Sequence, residues 1–455
     1  MRLLVLTVGV LLQSCAGTAS GMDGGAGGGG AVGGGGGSVG GGTGGGGGGG
    51  VGGGGVGGGS VGGGTGGGGG GGVGGGSGGG GTASCMAGAL LAQLGRDRLL
   101  VGASMADATA GRAPFTLRYL YLAGGLFPGT TPCAGCQSGC NAQWWGCWQD
   151  PAQPPGAYVR NFISGAKARG MVPMVTYYEV LAETGWSEGA AEVAGVNDVT
   201  HATKLFNDWR FLVQQVGQEV ALLHVEPDFW GYAQQMGASD PHAIPAKVKA
   251  ANPTDCAQEE DSLAGFGTCL VKMARAHAPN AKVGLHASGW ATNIDVTHSS
   301  DPQLDVAGEA TKVGNFLKAC APNADFIVVE ASDRDAGWYE TVRGRDTWWD
   351  ETNATLPNFH RAFAWARQVA ETAGKPLVWW QLPVGNASQN DTANHYRDNR
   401  VAYFFAHPGE VAAAHGFGFA FGAGDGQQTT PETDGDFLVT RVQAYAAAGG
   451  QVPCP

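Results

Sequence analysis

Glu226 closes an apolar run, Ala221-Leu222-Leu223-His224-Val225, and is followed at once by Pro227, Asp228, Phe229 and Trp230. A run of this kind reads as a strand covered on both faces, and proline cannot donate to the ladder, so the strand stops where the acids begin. A second acidic group, Glu330-Ala331-Ser332-Asp333-Arg334-Asp335, follows the apolar run that starts at Phe326. Further carboxylates close other runs at Asp107, Glu179 and Asp425. Paired carboxyl groups suit hydrolysis of a glycosidic bond: one protonates the leaving oxygen while the other attacks the sugar or activates water. Tryptophans recur beside the same strand ends, at Trp144, Trp145, Trp148, Trp186, Trp230, Trp290, Trp338, Trp379 and Trp380. Flat indole faces pack well against the apolar C–H faces of sugar rings.

Strand alternation puts His224, Glu226 and, were the strand to persist, Asp228 on one face. Glu226, next to the rim, is the expected general acid/base. Asp333 is the expected partner because it lies past its strand on a loop with room for substrate, and Glu330 is the alternative. Arg334 beside them favours an ionised carboxylate. Substrate contacts are expected from Asp228, Trp230, His286, Trp290, Trp338, Trp380, Gln381 and Asn386. The structural alternative is that the rim acids only pair with Arg334, Arg343, Arg397 and Arg400, and that His286, inside an apolar strand, is a satisfied core group.

No cofactor and no metal is expected. The chain has no His-Glu-x-x-His helix and no Gly-x-Gly-x-x-Gly at a strand-to-helix turn. A calcium or magnesium ion held by Glu226, Asp228 and Glu330 is a metal alternative at the rim, since carboxylates suit hard cations.

The elements that must position these groups alternate along the chain. Strands are expected at Leu99–Ser104, Leu117–Ala123, Val172–Tyr178, Val220–Glu226, Lys282–Ala287, Phe326–Glu330, Leu377–Leu382 and Gly416–Phe421. Amphipathic stretches lie between them, at Tyr158–Ala168, Ala202–Val216, Ser262–His277, Lys312–Ala319, Asn358–Ala373 and Asn399–Ala413, and Phe437–Ala448 closes the set. The fold class is therefore α/β, a (β/α)8 TIM barrel with elaborated, disulfide-stapled loops, and the acids would share its carboxyl-end rim. The first unit is irregular: Ala106–Thr116 is too short and polar for a full helix, so Met86–Leu94 is expected to cover the barrel near its N-terminal end.

On these motifs the folded part resembles the TIM-barrel glycoside hydrolase superfamily. In the largest clan of those enzymes an Asn-Glu-Pro at the end of strand four supplies the acid/base and a glutamate at the end of strand seven the nucleophile. Here the first motif reads Val225-Glu226-Pro227, and Gln381, in Val378-Trp379-Trp380-Gln381-Leu382-Pro383, stands at the second place, where glutamine cannot be a nucleophile. Other barrel hydrolases pair carboxylates from strands four and six. The resemblance implies that arrangement here, with Glu226 or Asp228 facing Glu330 or Asp333.

The ends of the chain point to export. Arg2 is followed by an apolar stretch from Leu3 to Leu12, the layout of a secretory signal too short to span a bilayer. Leu12-Gln13-Ser14-Cys15 resembles a bacterial lipobox, which implies Cys15 as lipid anchor and, with Ala16 after it, the outer membrane or cell surface; plain secretion is the alternative. Residues 1–20 are thus read as signal and anchor, 21–82 as a glycine-rich flexible tether, and 83–455 as the barrel. The chain holds 10 cysteines, and in an exported protein those beyond Cys15 are expected to form disulfides with one thiol left over. Cys133, Cys136, Cys140 and Cys147 read as a stapled loop, with a metal site as the minor alternative.

The formal net charge is −12 and there is no basic stripe, which argues against a nucleic-acid partner and fits neutral or cationic polymers. The expectation is a monomeric, exported glycoside hydrolase acting on a polysaccharide, its only membrane contact the anchor. The alternatives are a non-catalytic surface carbohydrate-binding barrel and a lysozyme-like cell-wall hydrolase.

Overall fold

The structure is a computed structural model that describes residues 85–122, 126, 155–181, 188–237, 240–424 and 426–454. Cys15, the tether, the cysteine quartet from Cys133 to Cys147, Trp144, Trp145, Trp148, Trp186 and Asp425 lie outside the described residues.

Eight parallel strands close in chain order into a barrel: β1 Leu100–Ala103, β2 Leu117–Leu122, β3 Val172–Tyr177, β4 Leu222–Val225, β5 Lys282–Ala287, β6 Phe326–Val329, β7 Leu377–Leu382 and β8 Gly416–Phe421, with β8 paired to β1. The expected (β/α)8 fold is therefore the observed one. Almost every strand residue is buried, because the inner face fills the barrel and the outer face meets the helices. Phe419 and Phe421, for instance, pack against Phe404 and Phe405 of the helix Arg400–Ala406. The strands β4 and β6 each end just short of the expected acid, so Glu226 and Glu330 directly follow their strands.

The helices start on local polar caps. Asp198 accepts from the amides of Thr200 and His201 at the head of Val199–Val216, and Asn358 accepts from Arg361 at the head of Phe359–Ala373, which ends at Gly374 with φ of 69°. In the first unit only one helical turn, Asp107–Ala110, follows β1, and the helix Met86–Gln93 buries Leu90 and Leu91 against the barrel wall.

Cys85 is bonded to Cys454, which ties the start of the barrel to its end, and Cys256 is bonded to Cys269. Cys320 is a buried free thiol. No helix among the described residues is long and apolar enough to cross a membrane.

Candidate functional site

His224 on β4 and Trp380 on β7 belong to strands that are not neighbours, yet their rings meet edge to face at 4.6 Å, so both point into the barrel. His286 on β5 stacks on His224 at 5.2 Å and meets Trp380 at 5.7 Å. Tyr119 and Tyr121 of β2 complete the aromatic layer around Trp380. Gly284 makes room beneath: a Cβ there would lie 2.2 Å from the Phe326 ring. Trp380 is thus an enclosed floor, at 1% exposure, and not an open sugar platform.

A buried hydrogen-bond chain crosses this layer. Thr176 Oγ1 lies 3.2 Å from His224 Nδ1, and His224 Nε2 lies 3.2 Å from His286 Nδ1. His286 Nε2 ends the chain without a hydrogen-bond partner, 3.7 Å from Glu330 Oε1. Burial pushes both imidazoles down, His286 to about 4, which favours neutral rings.

Above the rings, Asp228, His286 and Glu330 each present one polar atom such that all three lie within 4.8 Å of one another. Asp228 and Glu330 are partly open to solvent. Burial pushes the Asp228 carboxyl well up, with Glu330 adding like-charge repulsion, and burial together with Asp333 raises Glu330 to about 8. Asp333 sits farther out, accepting hydrogen bonds from Tyr339 Oη and from the Arg334 guanidinium.

The structure corrects the expectation for Glu226. The residue takes φ of 52°, and its carboxyl is bound to the loop after β3 and is not part of the Asp228, His286 and Glu330 cluster. Glu226 Oε1 accepts from the backbone amides of Glu179 and Val180, at 3.0 and 3.1 Å, so the carboxyl caps the loop after β3. It is 1% exposed, and burial raises it to about 8, with Asp208 as its charged neighbour instead of Asp228 or Glu330. Alternation along a strand predicts the wrong direction because the chain is left-handed at this position. The acid that reaches the cluster from β4 is Asp228, itself at φ 65°.

Other expected contacts are also relocated. Trp230 is 1% exposed, donates Nε1–H to the Val225 carbonyl at 2.9 Å and packs on Phe229 and Phe266, so it is core. Asn386 is buried and clamps a loop, donating to the Asp434 carbonyl and accepting from Ser388 N. Gln381, at φ 53°, is buried and accepts from the Tyr121 hydroxyl. Asp335 accepts from Gly385 N and Thr429 N and is structural. Trp290, half-buried, packs on Tyr232 at 4.6 Å, and Trp338 lies under the guanidinium groups of Arg334 and Arg343 at 4.7 and 5.3 Å. Among the described residues these two are partly open indoles beside the strand ends.

Glu188 escaped the sequence reading. Its carboxylate accepts from Tyr178 and Tyr232 hydroxyls, at 2.6 and 3.3 Å, and its charge acts on both Asp228 and Glu330. It stands in the loop sequence Ser187-Glu188-Gly189, where no periodicity marks it.

No protein-family model matches the chain, and no curated protein matches it. Solved structures do. XEG5B, a GH5 xyloglucan-specific β-1,4-glucanase from a ruminal metagenomic library, is similar at 13% identity and a TM-score of 0.42, over 77% of this chain and 89% of that one. The endo-β-1,4-mannanase from Thermotoga petrophila is similar at 10% identity and 0.39, over 78% and 77%. A modular endo-β-1,4-mannanase from Cellulomonas fimi, of glycoside hydrolase family 26, is similar at 13% identity and 0.45, over 82% and 76%.

Proposed function

We propose that this chain is an exported glycoside hydrolase that cleaves a polysaccharide, with Asp228 as general acid/base and Glu330 as nucleophile. The observation that carries the reading is the pair of carboxyls from the ends of β4 and β6, whose nearest atoms are within 4.8 Å. They stand at the carboxyl ends of barrel strands, where this fold holds its chemistry. Two carboxylates this close in a poorly hydrated mouth do not both ionise, so one proton is shared between them, as acid/base and nucleophile roles require. Asp228 gives that proton to the leaving oxygen while Glu330 attacks the anomeric carbon. Water, deprotonated by Asp228, then releases the sugar and restores both groups. Retaining enzymes hold the two groups about 5–5.5 Å apart and inverting ones about 6.5–9.5 Å, so the short gap supports retention.

Among the described residues, Trp290 and Trp338 are indoles available to sugar rings. The Cys85–Cys454 and Cys256–Cys269 bonds support an oxidising compartment, in line with the signal-like start and Cys15 as anchor.

The test is reducing-end release over glucans, mannans, xylans, chitin and peptidoglycan, run beside pull-down on insoluble polymer. Release that is lost in both Asp228→Asn and Glu330→Gln supports the reading. Pull-down without release on any polymer would replace it with a carbohydrate-binding barrel.

A further inference from the structure

We propose that Asp228, His286 and Glu330 form a site for one first-row divalent cation of the zinc or manganese kind, and that this ion, by occupying both carboxyl groups, competes with hydrolysis. Cation binding stands independently of hydrolysis; only the competition rests on that reading.

The three donor atoms lie within 4.8 Å of one another, close enough for a single ion to reach all of them at ordinary bond lengths with small side-chain adjustments. One nitrogen and two carboxylate oxygens suit borderline first-row ions better than calcium, which takes six to eight oxygens. A cluster of acids alone would be weak ground. The second observation is His286: its ring is fully buried, and Nε2 points into the cluster with no hydrogen-bond partner.

The ring is also held from behind as ligating histidines are. His286 Nδ1 meets His224 Nε2, and His224 Nδ1 meets Thr176 Oγ1, each at 3.2 Å. The chain can run in two directions. With Thr176 donating, each imidazole is protonated at Nε2 and His286 directs its N–H toward Glu330, which suits the hydrolase. With His286 Nδ1–H donating to His224 Nε2, and His224 Nδ1–H to Thr176, a bare Nε2 lone pair faces two carboxyl groups, and only a cation or a proton between them relieves the repulsion.

The experiment uses the full chain, untagged and stripped with chelator, titrated with zinc, manganese and calcium in the absence of any sugar. The expected result is one zinc equivalent bound at low micromolar concentration or tighter, with calcium at least 10-fold weaker. Cobalt substituted at the same stoichiometry should show d–d absorption of mixed nitrogen and oxygen ligation. Glu330→Gln on the rim and His286→Gln should each weaken zinc at least 10-fold while thermal melts stay cooperative; if His286→Gln does not fold, Glu330→Gln and Asp228→Asn carry the comparison. Absence of zinc binding by the parent chain, or affinity unchanged in Glu330→Gln and Asp228→Asn, would overturn the site. On a substrate that the chain cleaves, zinc at the same concentrations should inhibit, and full activity at saturating zinc would overturn the competition. Zinc binding with no hydrolysis of any polymer leaves the cation site standing and removes the hydrolase.

Discussion

Glu226 and Asp228 stand two residues apart, both with left-handed φ, and their carboxyls have different neighbours: Glu226 caps the amides of Glu179 and Val180, while Asp228 joins His286 and Glu330. Holding a non-glycine residue in this region costs about 1–3 kcal/mol and occurs most where a site needs it. Here the two turns remove one acid from the barrel mouth and deliver the other.

Replacing Asp228 by Asn or Glu330 by Gln should lower kcat by about 10²–10⁴-fold, the usual contribution of a positioned proton-transfer group or more. Sugar affinity should stay within a few-fold. Steady-state kinetics beside calorimetric titration with an oligosaccharide check both halves, and a variant that keeps full turnover removes that residue from its role.

Glu226→Gln should keep most activity, because the amide oxygen still accepts from the two backbone N–H groups. Glu226→Ala should destabilise by about 1–3 kcal/mol, since it leaves buried donors unsatisfied. Denaturant melts of the two variants separate a cap from a catalyst.

Asp333 is held by Arg334 and Tyr339 and lies outside the three-atom cluster. Asp333→Asn should therefore cost less than Glu330→Gln, about 10-fold in kcat/KM against about 10²-fold or more for the residue at the reacting centre. Equal losses would restore Asp333 as the partner.

Glu192 is 1% exposed, and burial raises its carboxyl to about 9. The unfolded chain holds the same group near about 4.3, so folding takes up a proton throughout that interval. The contribution is complete below the lower value and is lost as pH rises toward the upper one. Thermal stability should thus fall between pH 5 and 9, by about 2–4 °C for each kcal/mol lost. Glu192→Gln should raise the melting temperature at pH 8 and flatten the slope; an unchanged slope would show that the carboxyl is not protonated in the fold.

Cys85 and Cys454 close a loop of sequence separation 369. Changing both to Ser should destabilise the barrel by about 2–5 kcal/mol, chiefly by freeing the unfolded chain. The comparison is a denaturant melt under non-reducing conditions.

The order of eight strands was legible because the strands are largely buried apolar runs and all but the first are followed by a helical stretch; β5, β7 and β8 have the expected bounds. The sequence by itself also determined that acids gather at the ends of β4 and β6, since proline and charge stop those runs. It did not determine which acid turns inward. Alternation holds only while φ stays extended, and left-handed positions at Glu226, Asp228 and Gln381 break it without any glycine to announce them. Nor could spacing bring Trp380 of β7 onto His224 and His286 of β4 and β5, because that contact crosses the barrel between strands that are not neighbours. Trp230 and Asn386 depart from expectation for a related reason: a tryptophan or an amide near a strand end looks the same in sequence whether it faces sugar or core. Only the closed tertiary structure decided that, by filling the space on one side of each.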